Sequence, residues 1–442
     1  MRFVAQLVVC FCFLVSAAVN AVEKVSVQAR TMSETVGLAV ANHPEARVKF
    51  SELKAQGETI RQVESSFLPQ LSLGLGVGRE HSNNTSTRAG SPSGSEQMVR
   101  RESSVNLSQM LFDGFKTHWQ RESALETEAA IELELAYVAS EVAIRAVESH
   151  LEVARSNQVL NINIDNLNAH QEIAADIQAR AKSGKDDWAR VSQIHARLSL
   201  SLANVEAAKN EVMKANASYL QAVGVAPGKK LFFQEQLFRM PDSLTELIEQ
   251  VNHSNFLILS RTLDQRSALS DAKAAKNTDM PSLFLESGAT WNDNLDGIDG
   301  RNGDAFVMLR MRYDLFRGGA DNAAKQQAVL LSQRASYQLD DVRRGVRRDV
   351  EYAWHDYQSS AKRVKFLADY HESALLTKTA YEKQFRIGQR TLIDLLDAEN
   401  EMQRARRLMV DAQKELYLSK YRILNLQGQL LEQLAVNLPG ID

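Results

Sequence analysis

Leu71-Ser72-Leu73-Gly74-Leu75-Gly76-Val77-Gly78 alternates an aliphatic residue with serine or glycine. A period of two places every aliphatic side chain on one face of an extended strand. Val105-Asn106-Leu107-Ser108 repeats the alternation. Further on, Val307, Leu309, Met311, Tyr313 and Leu315 take one face, and Met308, Arg310, Arg312 and Asp314 the other. Aliphatics on one side and arginine or aspartate on the other suit a barrel strand with lipid outside and water inside. One such strand would fit a half-buried soluble sheet. Four of about ten residues, each beside a polar loop, favour the membrane barrel. Trp291 and Tyr313 are candidate interface aromatics. Gly74-x-Gly-x-Gly78 is not a nucleotide loop, because its glycines alternate with aliphatics and no helix follows.

The segments joining these strands, residues 79–101 and 292–303, are rich in Ser, Asn, Asp and Gly. They read as solvated loops. The aspartates of the second lack the spacing of an EF-hand loop, so no metal is expected. Four strands do not close a membrane barrel, and an open edge in lipid leaves backbone groups without partners. The chain must share a barrel with copies of itself, two giving about eight strands and three about twelve. This arithmetic does not choose between them.

The surrounding sequence is a tandem duplication. Gly114 and Gly318, Gly184 and Gly388, and Gly224 and Gly428 are each 204 residues apart. Leu111-Phe112-Asp113-Gly114 matches Leu315-Phe316-Arg317-Gly318. Each copy reads as a helix (residues 32–66 and 243–277), a proline stop (Pro69, Pro281), two strands, a very long helix, a glycine break and a second long helix. The boundaries are 22–224 for the first repeat, 225–241 for a linker, 242–430 for the second repeat and 431–442 for a tail. Between Gly114 and Gly184 there is no proline or glycine, which predicts about 65 helical residues spanning roughly 100 Å. Val346, Val350, Ala353, Tyr357, Ser360, Val364 and Leu367 step by four and three, the coiled-coil pattern. The predicted fold is a long coiled-coil helical barrel fused to a transmembrane β-barrel.

The N-terminus reads as a signal peptide, residues 1–21, with Arg2, an apolar run from Phe3 to Val15 and small residues before a cut after Ala21. Cys10 and Cys12 lie inside it, so the mature chain is expected to have no thiol, disulfide or lipid-attachment cysteine. No later run is long and apolar enough for a membrane helix. The 442 residues carry a formal net charge of −3, which argues against nucleic acid as the main partner. The nine histidines show no i, i+4 metal pair, and His195 has no nearby nucleophile. No catalysis and no cofactor are expected.

Residues 385–399 read Phe-Arg-Ile-Gly-Gln-Arg-Thr-Leu-Ile-Asp-Leu-Leu-Asp-Ala-Glu. An aromatic, then glycine, Arg-Thr and two aspartates three apart resemble the TolC family of outer-membrane factors. So do the Leu-Phe-Asp-Gly segment and the element order, over nearly all of the mature chain. The resemblance implies a homotrimer with a twelve-stranded barrel in outer-membrane lipid and a helical tunnel reaching into the periplasm. It implies a tip that opens when a periplasmic adaptor and an inner-membrane transporter, an ATP-driven exporter or a proton-driven pump, dock. Asp394 and Asp397 share one helix face. In a threefold mouth they would form rings of carboxylates, with raised pKa values and a preference for cations. Phe385 and Arg390 would join the links holding the mouth shut, with Gly184 and Gly388 at the turns. A solvated helix start favoured by the helix dipole is the alternative for the aspartates. Arg190 stands where the family pattern carries an aspartate, so Arg190 is expected to pair with Asp394 or Asp397, and Asp186 or Asp187 with Arg390. The preferred function is an exit duct for type I protein secretion. The alternatives are the same duct in drug or metal efflux, and a coiled-coil scaffold with no pore.

Overall fold

The computed structural model describes residues 30–90, 92–184, 187–228, 231, 233 and 238–438. The expected signal peptide and Asp186 lie outside these residues, as does part of the expected linker. In chain order the elements are α1 (Met32–Asn42), α2 (Pro44–Ser65), β1 (Gln70–Ser82), α3 (Thr85–Gly90), β2 (Glu96–Phe112), α4 (Lys116–Lys182) and α5 (Trp188–Val223). The same sequence of elements returns as α6 (Leu244–Ser254), α7 (Phe256–Lys276), β3 (Ser282–Asp293), a 3-10 turn (Leu295–Gly297), β4 (Arg301–Arg312), α8 (Ala320–Arg386) and α9 (Leu392–Leu426), before a short α10 (Leu430–Gln433). Helices α4 and α8 have 67 residues each. Among the described residues no helix is long and apolar enough to cross a membrane.

The single helix expected over residues 32–66 is two helices. Pro44 opens α2, and His43 before it is extended (φ −69°, ψ 129°), its ring accepting from the Glu45 amide. Proline has no N–H for the preceding turn and forces its neighbour out of helical geometry. The second copy breaks at Asn255, without a proline. Its carboxamide oxygen accepts from the Leu257 and Ile258 amides, capping α7.

Two compact units are present. The sheet unit comprises Val36–Arg145, Leu237–Phe366 and the described part of Glu415–Asp442. Its four strands are antiparallel in the order β1-β2-β3-β4, so the two copies meet at β2–β3. Direct register partners share a face. Leu73 opposite Val105, Val105 opposite Ala289, and Ala289 opposite Ala305 therefore put the aliphatic residues of all four strands together. The chain leaves that face bare: Leu75 is 74% exposed, Val77 77% and Val307 75%. The opposite face carries Arg310 paired with Glu286 at 2.6 Å and Arg100 with Glu80 at 3.2 Å, beside Phe284, Phe306 and Met308. Strand β4 ends at Arg312, so Tyr313 and Leu315 lie beyond it, contrary to the pattern-based reading. Conversely β1 and β2 extend into the expected loop, because ladder hydrogen bonds do not depend on side-chain polarity.

The coiled-coil stripe on α8 finds helical partners within its own repeat. Val346, Val350 and Ala353 pack against Leu247 and Val251 of α6 and Ile258 of α7. Spacing reveals which face is buried, whereas the partner is set by what the chain folds back against it.

The helical unit comprises the described parts of Met1–Thr35 and Ala146–Gln236, together with Leu367–Lys414. It holds the turns from α4 to α5 and from α8 to α9.

Candidate gate at the helical turns

Each turn depends on a glycine in the left-handed region, Gly184 at φ 72° and Gly388 at φ 77°. A side chain there would be strained whatever the space around it. After Gly388 the Gln389 amide donates to the Gln384 carbonyl at 2.9 Å and the Gly388 amide to the Phe385 carbonyl at 3.0 Å, closing α8. Asp187 caps α5, its carboxylate accepting from the Ala189 amide. Thr391 and Asp394 cap α9 reciprocally. The Asp394 amide donates to the Thr391 hydroxyl (3.3 Å), and the Thr391 amide donates to the Asp394 carboxylate (3.1 Å).

The turns are held side by side by an apolar cluster that includes Ile177 and Ala181 of α4, Ile194 of α5, Phe385 of α8, and Leu395 and Leu396 of α9. Phe385 is buried there, with the Arg180 guanidinium 5.4 Å from its ring centroid. It packs within the cluster, and the Arg180 guanidinium covers its ring.

The chain gives Asp397 an ion partner that the sequence reading does not name. Asp397 is 3.6 Å from Arg197 of α5. Arg197 lies seven residues beyond Arg190, two helical turns along the same face. That spacing was the available signal for it. Arg190 itself is exposed in the first turn of α5, its amide donating to the Asp187 carbonyl at 3.1 Å. Arg390 donates from Nε to Gln384 at 2.9 Å and lies 4.2 Å from the Tyr381 ring centroid, on the end of its own hairpin. Asp394, Asp397 and Glu401 follow one face of α9. With Tyr370, Thr377 and Tyr381 of α8 they line a groove of about 440 Å³. The Tyr370 hydroxyl donates to Glu401, and this bond pushes the phenol pKa up.

Crowding in a threefold mouth was expected to raise the aspartate pKa values. The chain itself acts on Asp394 in the opposite direction. The hydrogen bond from the Thr391 hydroxyl, then that from its amide, hold the carboxyl below the usual aspartate range.

Sequence reasoning also missed Glu399, whose side chain is only 3% exposed. It lies 3.4 Å from the Lys378 ammonium and accepts from Gln403 Nε2 at 2.9 Å. A buried carboxylate needs such partners, and no spacing rule marks one glutamate of a charged helix as the buried one.

The arrangement offers exposed carboxylates, guanidinium groups and aromatic rings at two helix turns, suited to ion pairing and cation attraction. Known proteins carry the same plan. Residues 35–225 and 247–429, one segment per repeat, match the outer membrane efflux protein family. BepC, an outer membrane efflux protein of Brucella suis biovar 1, is 25% identical, the match covering 94% of this chain and 90% of its own length. The outer membrane protein TolC of Vibrio cholerae serotype O1 is 24% identical over 95% of both chains. The crystal structure of the Campylobacter jejuni CmeC outer membrane channel shares the fold, with a TM-score of 0.77 at 15% identity, covering 90% of this chain and 86% of that one. With both repeats matched and the strand–helix order shared, the chain belongs to the outer membrane efflux protein family and resides in the outer membrane.

Proposed function

We propose that three copies of the chain close a twelve-stranded barrel and that the helices of the three form a conduit through the periplasm. The observation that carries this reading is the sheet. Strands β1 and β4 each have one neighbour, and a wide aliphatic face is left bare. Unpaired strand edges in hydrocarbon cost several kcal/mol per group, so only closure by further strands satisfies them. The protein acts as a passive duct and not as an enzyme. It receives substrate from an inner-membrane transporter through a periplasmic adaptor and releases it outside.

Asp394 and Asp397 then form the narrow mouth. Arg197, Arg390 and Phe385 hold it, and Arg190 and Asp187 complete the links between copies. Replacing Arg190 with Asp tests the last point in planar bilayers: opening frequency rises if Arg190 closes the mouth and is unchanged if it does not.

Type I protein secretion is the preferred cargo class, on the chain's resemblance to the protein- and adhesin-export branch of the family more than to its lipid-anchored drug-efflux branch. Small-molecule efflux is the second reading, favoured by the similarity to BepC, an efflux protein by name. Deleting the gene separates them. Loss of a large exported protein with unchanged drug sensitivity supports secretion, and the converse supports efflux. A purified protein that sediments as a monomer and passes no current would overturn the duct altogether.

A further inference from the structure

The β1–β2 and β3–β4 connections are not independent solvated loops. Strand β2 lies between β1 and β3, yet the two connections interlock across it. Asn84 Nδ2 donates to the Asp296 carbonyl at 2.7 Å, joining one connection to the other, and Asn294 Nδ2 donates to the carbonyl of Val99 in β2 itself at 3.0 Å, anchoring the second connection on the strand between. The bend of the β3–β4 connection uses four residues with positive φ: Asn294 at 57°, Asp296 at 55°, Gly297 at 76° and Gly300 at 114°. Asn, Asp and Gly tolerate this region best.

The side of the sheet on which they meet decides the inference. Ser82 and Glu80 alternate with residues of the aliphatic face and share theirs with Arg100 and Glu102. Ser82 is buried, and so is Thr87 of α3 at 3% exposure. A Cβ on Gly297 would lie 2.5 Å from Thr87 Cγ2 and 2.8 Å from Ser82 Cβ. Arg100 joins Glu80 (3.2 Å), Glu102 (2.7 Å) and Asp296 (3.8 Å). The connection from the second repeat is therefore pressed down over the charged face, leaving the aliphatic face clear.

We propose that these interlocked connections are a built constriction at the outer mouth, a second barrier with residues distinct from those at the helical turns. The inference rests on the channel reading, which makes the charged face the lumen wall. Solutes leaving the duct pass between three such lids. Their size limit is set by the packing of Gly297 on Thr87 and Ser82 and by the bond from Asn84.

The test uses the full-length protein in planar bilayers, with poly(ethylene glycol) of graded mass added only on the loop side. Gly297→Val cannot keep the present packing, and Asn84→Asp replaces a donor to the Asp296 carbonyl with a carboxylate while leaving the strands alone. Both are expected to raise the mass of the smallest excluded polymer about twofold. An exclusion limit equal to wild type in both variants overturns the constriction and leaves the channel standing. If Gly297→Val does not assemble, Asn84→Asp alone decides. A wild type that passes no current overturns the channel reading and the constriction with it.

Discussion

At the turn from α4 to α5 the new helix begins Trp188-Ala189-Arg190, and at the turn from α8 to α9 the equivalent residues are Leu392-Ile393-Asp394. Seven residues further on, Arg197 corresponds to Glu401. The apolar positions agree instead: Val191 corresponds to Leu395 and Ile194 to Ala398, all of them buried. Duplication thus kept the core and inverted the surface charge. Two identical hairpins would set like charges against each other. The diverged pair attract, as Arg197 and Asp397 do at 3.6 Å. The second hairpin also buries a carboxylate, Glu399, beside the partly exposed Lys378. Lys378 and Glu399 correspond to Ala174 and His195 in the first, and His195 is exposed.

The largest expected effect comes from removing that difference. Lys378→Ala takes the cation from the buried Glu399 carboxylate, leaving it the Gln403 hydrogen bond, and should cost about 2–3 kcal/mol. Faster amide exchange in residues 370–405 than in the first hairpin would show it, and equal exchange would mean that the pair is dispensable. Leu396→Ala, in the shared cluster, should cost about 2 kcal/mol or more and loosen both hairpins together. A response confined to α8 and α9 would break the picture of a common core.

Arg197→Glu sets a carboxylate against Asp397. Both groups are well exposed, so the energy is at most about 1 kcal/mol, and channel openings should become about fivefold more frequent. The exchange Arg197→Asp with Asp397→Arg should restore closure; if it does not, attraction between the hairpins is not what holds them.

The smallest effect concerns pH. Asp394 has its carboxyl lowered by Thr391, so its contribution is present above the usual aspartate pKa and lost as pH falls through the lowered value. Thr391→Val should move that loss to higher pH, seen as a shift of the Asp394 carboxyl resonance on titration. No shift would assign the lowering to another group.

Much of this was legible beforehand. Strand alternation and glycine register are local signals, and they gave the repeat, the strands and the turns. The break at Asn255 was less visible, because an asparagine cap is common in polar sequence and only its bonds to Leu257 and Ile258 identify it. Within the gate, Asp394 and Asp397 stood out by spacing, whereas the seven-residue step from Arg190 put Arg197 on the same face without showing that this face lies against α9. The sheet's connections had the composition of free loops. Their interlocking depends on contacts more than two hundred residues apart in sequence, such as Asn84 with Asp296.

Periodicity, proline and glycine determined by themselves where helices and strands run and which face of each is apolar, because those properties follow from the geometry of a few neighbouring residues. Tertiary structure alone decided which charges meet, which glutamate is buried and on which side of the sheet the outer connections fold. Those outcomes depend on the approach of segments far apart in the chain, and the energy of a charge depends on what surrounds it in space.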